Sequence, residues 1–195
     1  MTQVHQHFMV HKPYGIMSIT DVPPHQQSKR GLITLFPFPK GVHPIGRLDE
    51  DSEGLLLMTS NSKLMAMVNG AKFEKEYWVQ LDGDITQEAI DEMAAGLSLT
   101  FKKELVRTKP CLVKKLLEEP LFEPRKPPSR AGKHRPYSWI SIVLREGKNR
   151  QVRKMTAAVG FPTLRLIRVR IDTIQLGDLK VGEVCALPEV IPFSL

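Results

Sequence analysis

Five runs of strand length, with too few helical stretches to separate them, constrain the fold of this chain more than any other feature. Residues 8–11, 55–59, 76–81, 138–144 and 164–169 are dominated by apolar, β-branched or aromatic side chains, the composition that suits a pleated, partly buried surface. Trp139-Ile-Ser-Ile-Val-Leu144 is one clear example, and it stops at the turn signal Glu146-Gly147. Helical patterns occupy 62–68 and 86–95, the second opening on Thr86 as N-cap and closing on Gly96. Strands and helices do not alternate as βαβ units require. The pattern predicts an α+β fold with a mixed, mainly antiparallel central sheet flanked by helices and loops. A chain of 195 residues allows one large domain or two small ones that share a core.

The strongest helical pattern begins near Asn149 and ends at Gly160. At about 100° per residue, Arg150, Arg153, Lys154 and Ala157 share one face, and Val152, Met155 and Val159 share the opposite one. A solvated charged face would explain such a helix by itself. Its surroundings argue for more, because residues 145–170 hold eight Lys or Arg and a single acid, Glu146. The whole chain carries 28 Lys and Arg against 21 Asp and Glu, a net charge of +7, which favours a polyanionic partner and a phosphate-binding role for this surface. A second basic stretch, 125–135, has five Lys or Arg and no acid, interleaved with Pro124, Pro127, Pro128 and Pro136. Prolines so placed exclude a regular helix or central strand, leaving an exposed loop suited to phosphates or a plain surface linker.

Against this basic background, four acids crowd into five residues of His43-Pro-Ile-Gly-Arg-Leu-Asp-Glu-Asp-Ser-Glu-Gly54: Asp49, Glu50, Asp51 and Glu53. The spacing imitates the opening of a calcium loop, but the twelfth position from Asp49 is Ser60, where a bidentate Glu is needed. A solvated acidic turn and a catalytic loop presenting one carboxylate both remain open on these residues alone. Cys111 and Cys185 are far apart and lack metal-ligand spacing, so free thiols in a reducing cytosol are expected. The N-terminal residues are polar and no apolar run approaches a membrane span, so a soluble cytoplasmic protein without a membrane partner is expected.

Four ordered motifs carry a resemblance. Lys12-Pro-Tyr-Gly15, Gly46-Arg-Leu-Asp49 with Glu53-Gly-Leu-Leu-Leu57, Lys75-Glu-Tyr77 and Gly147-Lys-Asn-Arg-Gln-Val-Arg-Lys-Met155 follow one another along the chain. The sequence resembles the pseudouridine synthases that modify small- and large-subunit ribosomal RNA, over nearly its whole length. Residues 125–130 and 155–168 strengthen the likeness to the large-subunit members.

The resemblance implies a single catalytic domain over 1–195, with two sub-lobes sharing a central sheet and cleft. It implies an isomerisation in which one uridine, expected in 23S (large-subunit) ribosomal RNA or an assembly intermediate, loses its N1–C1′ bond and gains a C5–C1′ bond. No atom is gained or lost, so no cofactor or metal is expected, and a monomer should suffice. Asp49 matches the essential aspartate, acting on C1′ as nucleophile or on the C2′ proton as base. Tyr77 would stack on the uracil and help to remove the C5 proton. Arg153 would pair with Asp49 and keep it ionised. Arg47 would fill the space left by the flipped nucleotide, Arg150 and Lys154 would meet phosphates, and Leu166 would shape the site. Lys12 and Pro13 are expected to support the active-site loop.

Two departures from the family pattern stand out. The Lys12-Pro13 motif comes too early to leave room for the S4-type RNA-binding domain that most relatives of this branch carry, so RNA affinity is expected from the catalytic domain itself. Where the family usually has glycine after Arg170-Ile171, this chain has Asp172, which puts the local turn in question. A glycoside hydrolase would need two carboxylates flanking the scissile bond, which neighbours in one loop do not provide. A non-catalytic RNA-binding or ribosome-assembly protein fits the charge equally well but leaves the coincidence of Asp49, Tyr77 and Arg153 without a cause.

Overall fold

The computed structural model describes residues 4–26, 28–70, 73–128, 136–189 and 193. The chain divides into two compact units, one of Met1–Phe73 with Arg168–Leu195 and one of Glu74–Ile167.

In the first unit, strands β1 (His7–Lys12), β2 (Ile16–Met17), β3 (Arg30–Gly31), β4 (His43–Ile45) and β5 (Glu53–Thr59) precede helix α1 (Ser62–Asn69). All seven residues of β5 are buried, as its unbroken Leu55-Leu-Leu-Met58 run requires of a strand covered on both faces. Strand β1 pairs antiparallel with β5, from His7 opposite Thr59 to Lys12 opposite Gly54. Strand β4 runs antiparallel to the far end of β5, with Ile45 opposite Leu57. The chain between them, from Gly46 to Ser52, is therefore the connection of an antiparallel pair. Phe8, Phe36 and Phe38 pack ring against ring at 5.1–5.6 Å beside this sheet. Asn61 caps α1 by accepting from the Lys63 and Leu64 amides, the usual use of a short polar side chain at that position.

The second unit contains β6 (Lys75–Asp82), α2 (Gln87–Ala95), β7 (Ser98–Phe101), β8 (Glu104–Arg107), β9 (Leu112–Leu116), β10 (Tyr137–Leu144) and α3 (Gln151–Ala158). Strand β10 lies between β6 and β9, antiparallel to both. Strands β7 and β8 form a separate hairpin. Val79, Leu81, Ile90, Met93, Ile140, Ile142, Met155 and Leu166 build one core from β6, α2, β10, α3 and the following strand. Thr86 caps α2 through the Ala89 amide and Gly96 closes it at φ 90°, as the sequence predicts.

Strand β11 (Thr163–Ile171) begins in the second unit and ends in the first, where β12 (Ile174–Gln175) and β13 (Val184–Leu187) follow. Strand β13 pairs antiparallel with β1. The β11–β12 turn answers the question raised by Asp172: it takes a left-handed φ of 52°, a conformation that Asp tolerates better than most residues. Arg170 donates to the Asp172 carbonyl across it. The turn thus forms without glycine.

All five predicted strands are present, joined by short strands that the sequence did not announce; β1 with β5 and β13, β4 with β5, β10 with β6 and β9, β7 with β8 and β11 with β12 pair antiparallel, and β2 pairs parallel with β3. The fold is α+β with a mixed, mainly antiparallel sheet. No helix among the described residues is long and apolar enough to cross a membrane.

Candidate active site

The segment from Gly46 to Ser52 is irregular in backbone but densely held. Gly46 and Gly54 bracket it at φ 58° and 100°, conformations that glycine adopts without steric cost. Five separate anchors then fix its main chain. The Gly46 amide donates to Asn69 Oδ1 at 2.9 Å, which ties the loop to the last residue of α1. Ser18 Oγ donates to the Leu48 carbonyl at 2.7 Å and accepts from the Leu48 amide at 3.1 Å. The Asp49 carbonyl accepts from Ser52 at 3.1 Å. The Glu50 carbonyl accepts from the Gly15 amide at 2.8 Å.

Arg168 completes the set from β11. It is only 1% exposed, and its Nε donates to the Leu55 carbonyl at 2.7 Å while Nη2 donates to Gly46 at 2.8 Å. One guanidinium thus grips the chain at the entry to the loop and just beyond its exit. Asp49 stands between these clamps, partly exposed, with Arg47 exposed two residues before it.

Lys12 lies under the same loop and is wholly buried. Its ammonium donates to the carbonyls of Ile16 at 2.7 Å, Pro13 at 3.0 Å and Glu50 at 3.4 Å. Burial lowers its pKa to about 8, against the attraction of Glu53, Asp51, Glu50 and Asp49 in falling order. The neighbouring acids therefore help to keep a buried cation charged, while Glu50 also meets Lys29 at 2.5 Å. The acidic cluster thus supplies counter-charge to Lys12, with Glu53 buried and Asp49, Glu50 and Asp51 partly exposed.

In the second unit, Tyr77 sits on β6 opposite Ile142 and packs, half-buried, against the core that contains Leu166. Helix α3 carries the basic residues in the expected order. Arg150 occupies its N-cap with a left-handed φ of 53° and is exposed, whereas Arg153 and Lys154 are partly buried. Lys154 Nζ donates to the Thr100 carbonyl at 2.7 Å and lies 4.4 Å from the centre of the Phe101 ring, a cation–π contact. Val152 and Met155 face the core.

The approach to α3 is organised by Glu146, 6% exposed. Its carboxylate accepts from the Lys109 amide at 2.9 Å and from Gln151 Nε2 at 2.6 Å, and it pairs with Lys148. Burial alone would raise its pKa, but the bonds from Lys148, Lys109 and Gln151 hold it below the ordinary carboxylate value. The single acid of this basic region is thus the post around which the Gly147-Lys-Asn-Arg turn is wound.

The first unit accordingly holds Arg47 and Asp49 on one anchored loop. The second unites Tyr77, Leu166 and the α3 cations around one core. In the proline-rich loop, Arg125 donates to the carbonyls of Pro127, Leu164 and Pro128 at 2.9–3.3 Å, so it fixes the base of the loop. Arg130, Lys133 and Arg135 lie outside the described residues. Sequence reasoning missed Ser18, Asn69, Arg168 and the clamping role of Glu146. Their partners are remote in sequence, except those that Glu146 finds in its own turn.

The family model for RNA pseudouridylate synthase matches residues 6–158. A ribosomal large subunit pseudouridine synthase E from Xanthomonas campestris pv. campestris is 40% identical over 180 residues, covering 90% of this chain and 91% of that protein. The protein of the same name from Vibrio parahaemolyticus is 38% identical, with 88% of this chain and 69% of that one covered. A dual-specificity RNA pseudouridine synthase RluF from Escherichia coli K12 is 33% identical over 89% of this chain and 51% of its own length. Among solved structures, a crystal structure of a pseudouridylate synthase superimposes with a TM-score of 0.75 at 25% identity, covering 95% of this chain and 71% of that one.

Proposed function

The chain belongs to the RNA pseudouridylate synthase family, and from that premise we propose that it converts one uridine of large-subunit ribosomal RNA to pseudouridine, with Asp49 as the carboxylate that acts on the ribose. The observation that carries the proposal is the anchoring of Asp49. Its neighbours Gly46, Leu48 and Glu50 are fixed through their main-chain atoms, while the Asp49 side chain stays partly open. Such preorganisation is what a reaction at a sugar carbon demands of the attacking group.

In the proposed reaction the N1–C1′ bond breaks, the uracil turns, and C5 bonds to C1′. The C5 proton leaves and N1 gains one, so atoms balance without an external oxidant or reductant. Asp49 acts by attack at C1′ or by taking the C2′ proton. Tyr77 stacks on the uracil and assists loss of the C5 proton. Arg153 pairs with Asp49 in the RNA-bound enzyme and favours its ionised form. Arg47 takes the place of the flipped nucleotide, Arg150 and Lys154 meet backbone phosphates, and Leu166 shapes the wall behind the base. In this proposal the two units work as one catalytic domain, and the protein acts in the cytoplasm as a monomer. The names of the relatives from Xanthomonas campestris pv. campestris and Vibrio parahaemolyticus support the ribosomal substrate.

The test is a pseudouridine map of ribosomal RNA from cells lacking the protein. One site should disappear, return with the wild-type chain and stay absent with Asp49→Asn. Restoration by Asp49→Asn would reduce the protein to a non-catalytic assembly factor.

A further inference from the structure

We propose that the β7–β8 hairpin is a second RNA-binding element, whose tip lysines bind the phosphodiester backbone of the RNA. The inference rests on the RNA substrate proposed above and adds to it Lys102 and Lys103, which lie outside the family motifs. Phe101 stands opposite Glu104, so Lys102 and Lys103 form a two-residue connection. Both have left-handed backbones, at φ 48° and 72°. A turn of this kind is served best by Asn-Gly, because side chains with a Cβ are strained there. Two lysines in succession are a poor choice for folding alone.

Nor are their charges used among the described residues. Lys102 and Lys103 are both exposed, and no hydrogen bond or ion pair to either side chain occurs among the described residues. Behind the tip, Phe101 is 8% exposed and has two more ammonium groups over its ring, Lys148 at 5.9 Å and Lys154 at 4.4 Å. Lys154 also ties α3 to the Thr100 carbonyl. Four cations thus gather at one end of a rigidly docked hairpin, with one of them, Lys148, matched by Glu146. Leu105, 74% exposed, lies two residues beyond the tip and offers an apolar edge to a ribose or base. Like charges brought together and left unmatched favour a polyanion, and a strained turn kept for its side chains points to use rather than stability.

Backbone binding is sequence-independent and carries a salt signature. Each phosphate contact contributes roughly 0.7–0.9 to the slope of log affinity against log salt. The variant Lys102→Asn with Lys103→Gly removes both charges and supplies the residues that the turn prefers. Its binding to a ribosomal RNA fragment should show a slope shallower by about 1.4–1.8, and affinity lower by about 25- to 60-fold at 0.1 M salt if the lines meet near 1 M. Its melting temperature should rise by about 2–4 °C, which separates lost binding from lost folding. Lys102→Arg with Lys103→Arg should bind like the wild type.

Unchanged slope and affinity in the Asn-Gly variant would overturn the proposal, as would equal weakening in the Arg-Arg variant. Binding is read without turnover. Failure of the wild type to form pseudouridine would therefore count against the proposed function, while the slope still decides the hairpin.

Discussion

Ser18→Ala tests whether the anchoring of the Asp49 loop matters for catalysis. The Ser18 hydroxyl both donates to and accepts from Leu48, at 2.7 and 3.1 Å, and the two residues are 5% and 7% exposed. Alanine leaves a buried carbonyl and amide unpaired, and the space vacated by one hydroxyl is well short of the roughly 30 Å³ a water occupies. Each unpaired group costs about 1–3 kcal/mol, with the lower end favoured for backbone that can shift. The expected loss is about 2–4 kcal/mol, or about 4–16 °C in melting temperature at roughly 2–4 °C per kcal/mol. The remaining anchors at Gly46 and Glu50 keep the loop folded but free to wander. A misplacement on the order of 1 Å can cost up to about 10²-fold in rate, so kcat should fall by about 10- to 100-fold while KM for RNA stays within about twofold. Urea unfolding and single-turnover pseudouridine formation read the two effects. A stability change below about 0.5 kcal/mol with an unaltered kcat would refute the reasoning.

Three other perturbations probe the same scaffold. Arg168→Met strips donors from the Leu55 and Gly46 carbonyls and should destabilise by about 2–4 kcal/mol, relief of the buried charge offsetting part of the lost bonding; a variant as stable as wild type would contradict the clamp. Lys12 should titrate near pH 8 in the folded protein and near its ordinary 10.5 when unfolded. Because the unfolded chain then binds the proton more tightly, this group makes stability rise as pH increases from about 8 to 10.5, and an NMR titration of Nζ near 10.5 in the folded protein would exclude it. Glu146 has the opposite sense: its depressed pKa supplies stability above about pH 4.5 that disappears as pH falls through the lowered value. Glu146→Gln should flatten that acid limb in denaturation curves, and an unchanged limb would refute the assignment.

The sequence revealed what depends on neighbours along the chain. The apolar run Leu55-Leu-Leu-Met58 read as strand-like and is a buried strand, and the 3.6-residue periodicity of α3 separated its basic face from Val152 and Met155. The β7–β8 hairpin escaped because Lys102-Lys103 stands where a hairpin signal would place Asn-Gly. Strand β9 escaped because Lys114 and Lys115 make it read as polar, as edge strands often do. Asp49 could be singled out by its motif, but not what holds it. Ser18 reaches Leu48 across 30 residues and Arg168 reaches Leu55 across 113, contacts that only the tertiary fold creates. The acidic cluster, ambiguous as sequence, became intelligible once Lys12 was found buried beneath it.

The most direct test of the account is a purified reaction between the wild-type or Asp49→Asn protein and ribosomal RNA from cells that lack it, followed by mapping of pseudouridine. The wild type should modify a single uridine of the large-subunit RNA. Asp49→Asn should bind that RNA with similar affinity and melt within a few degrees of wild type, while its rate falls by at least about 10³-fold. Turnover by Asp49→Asn at a rate near that of the wild type would contradict the central claim.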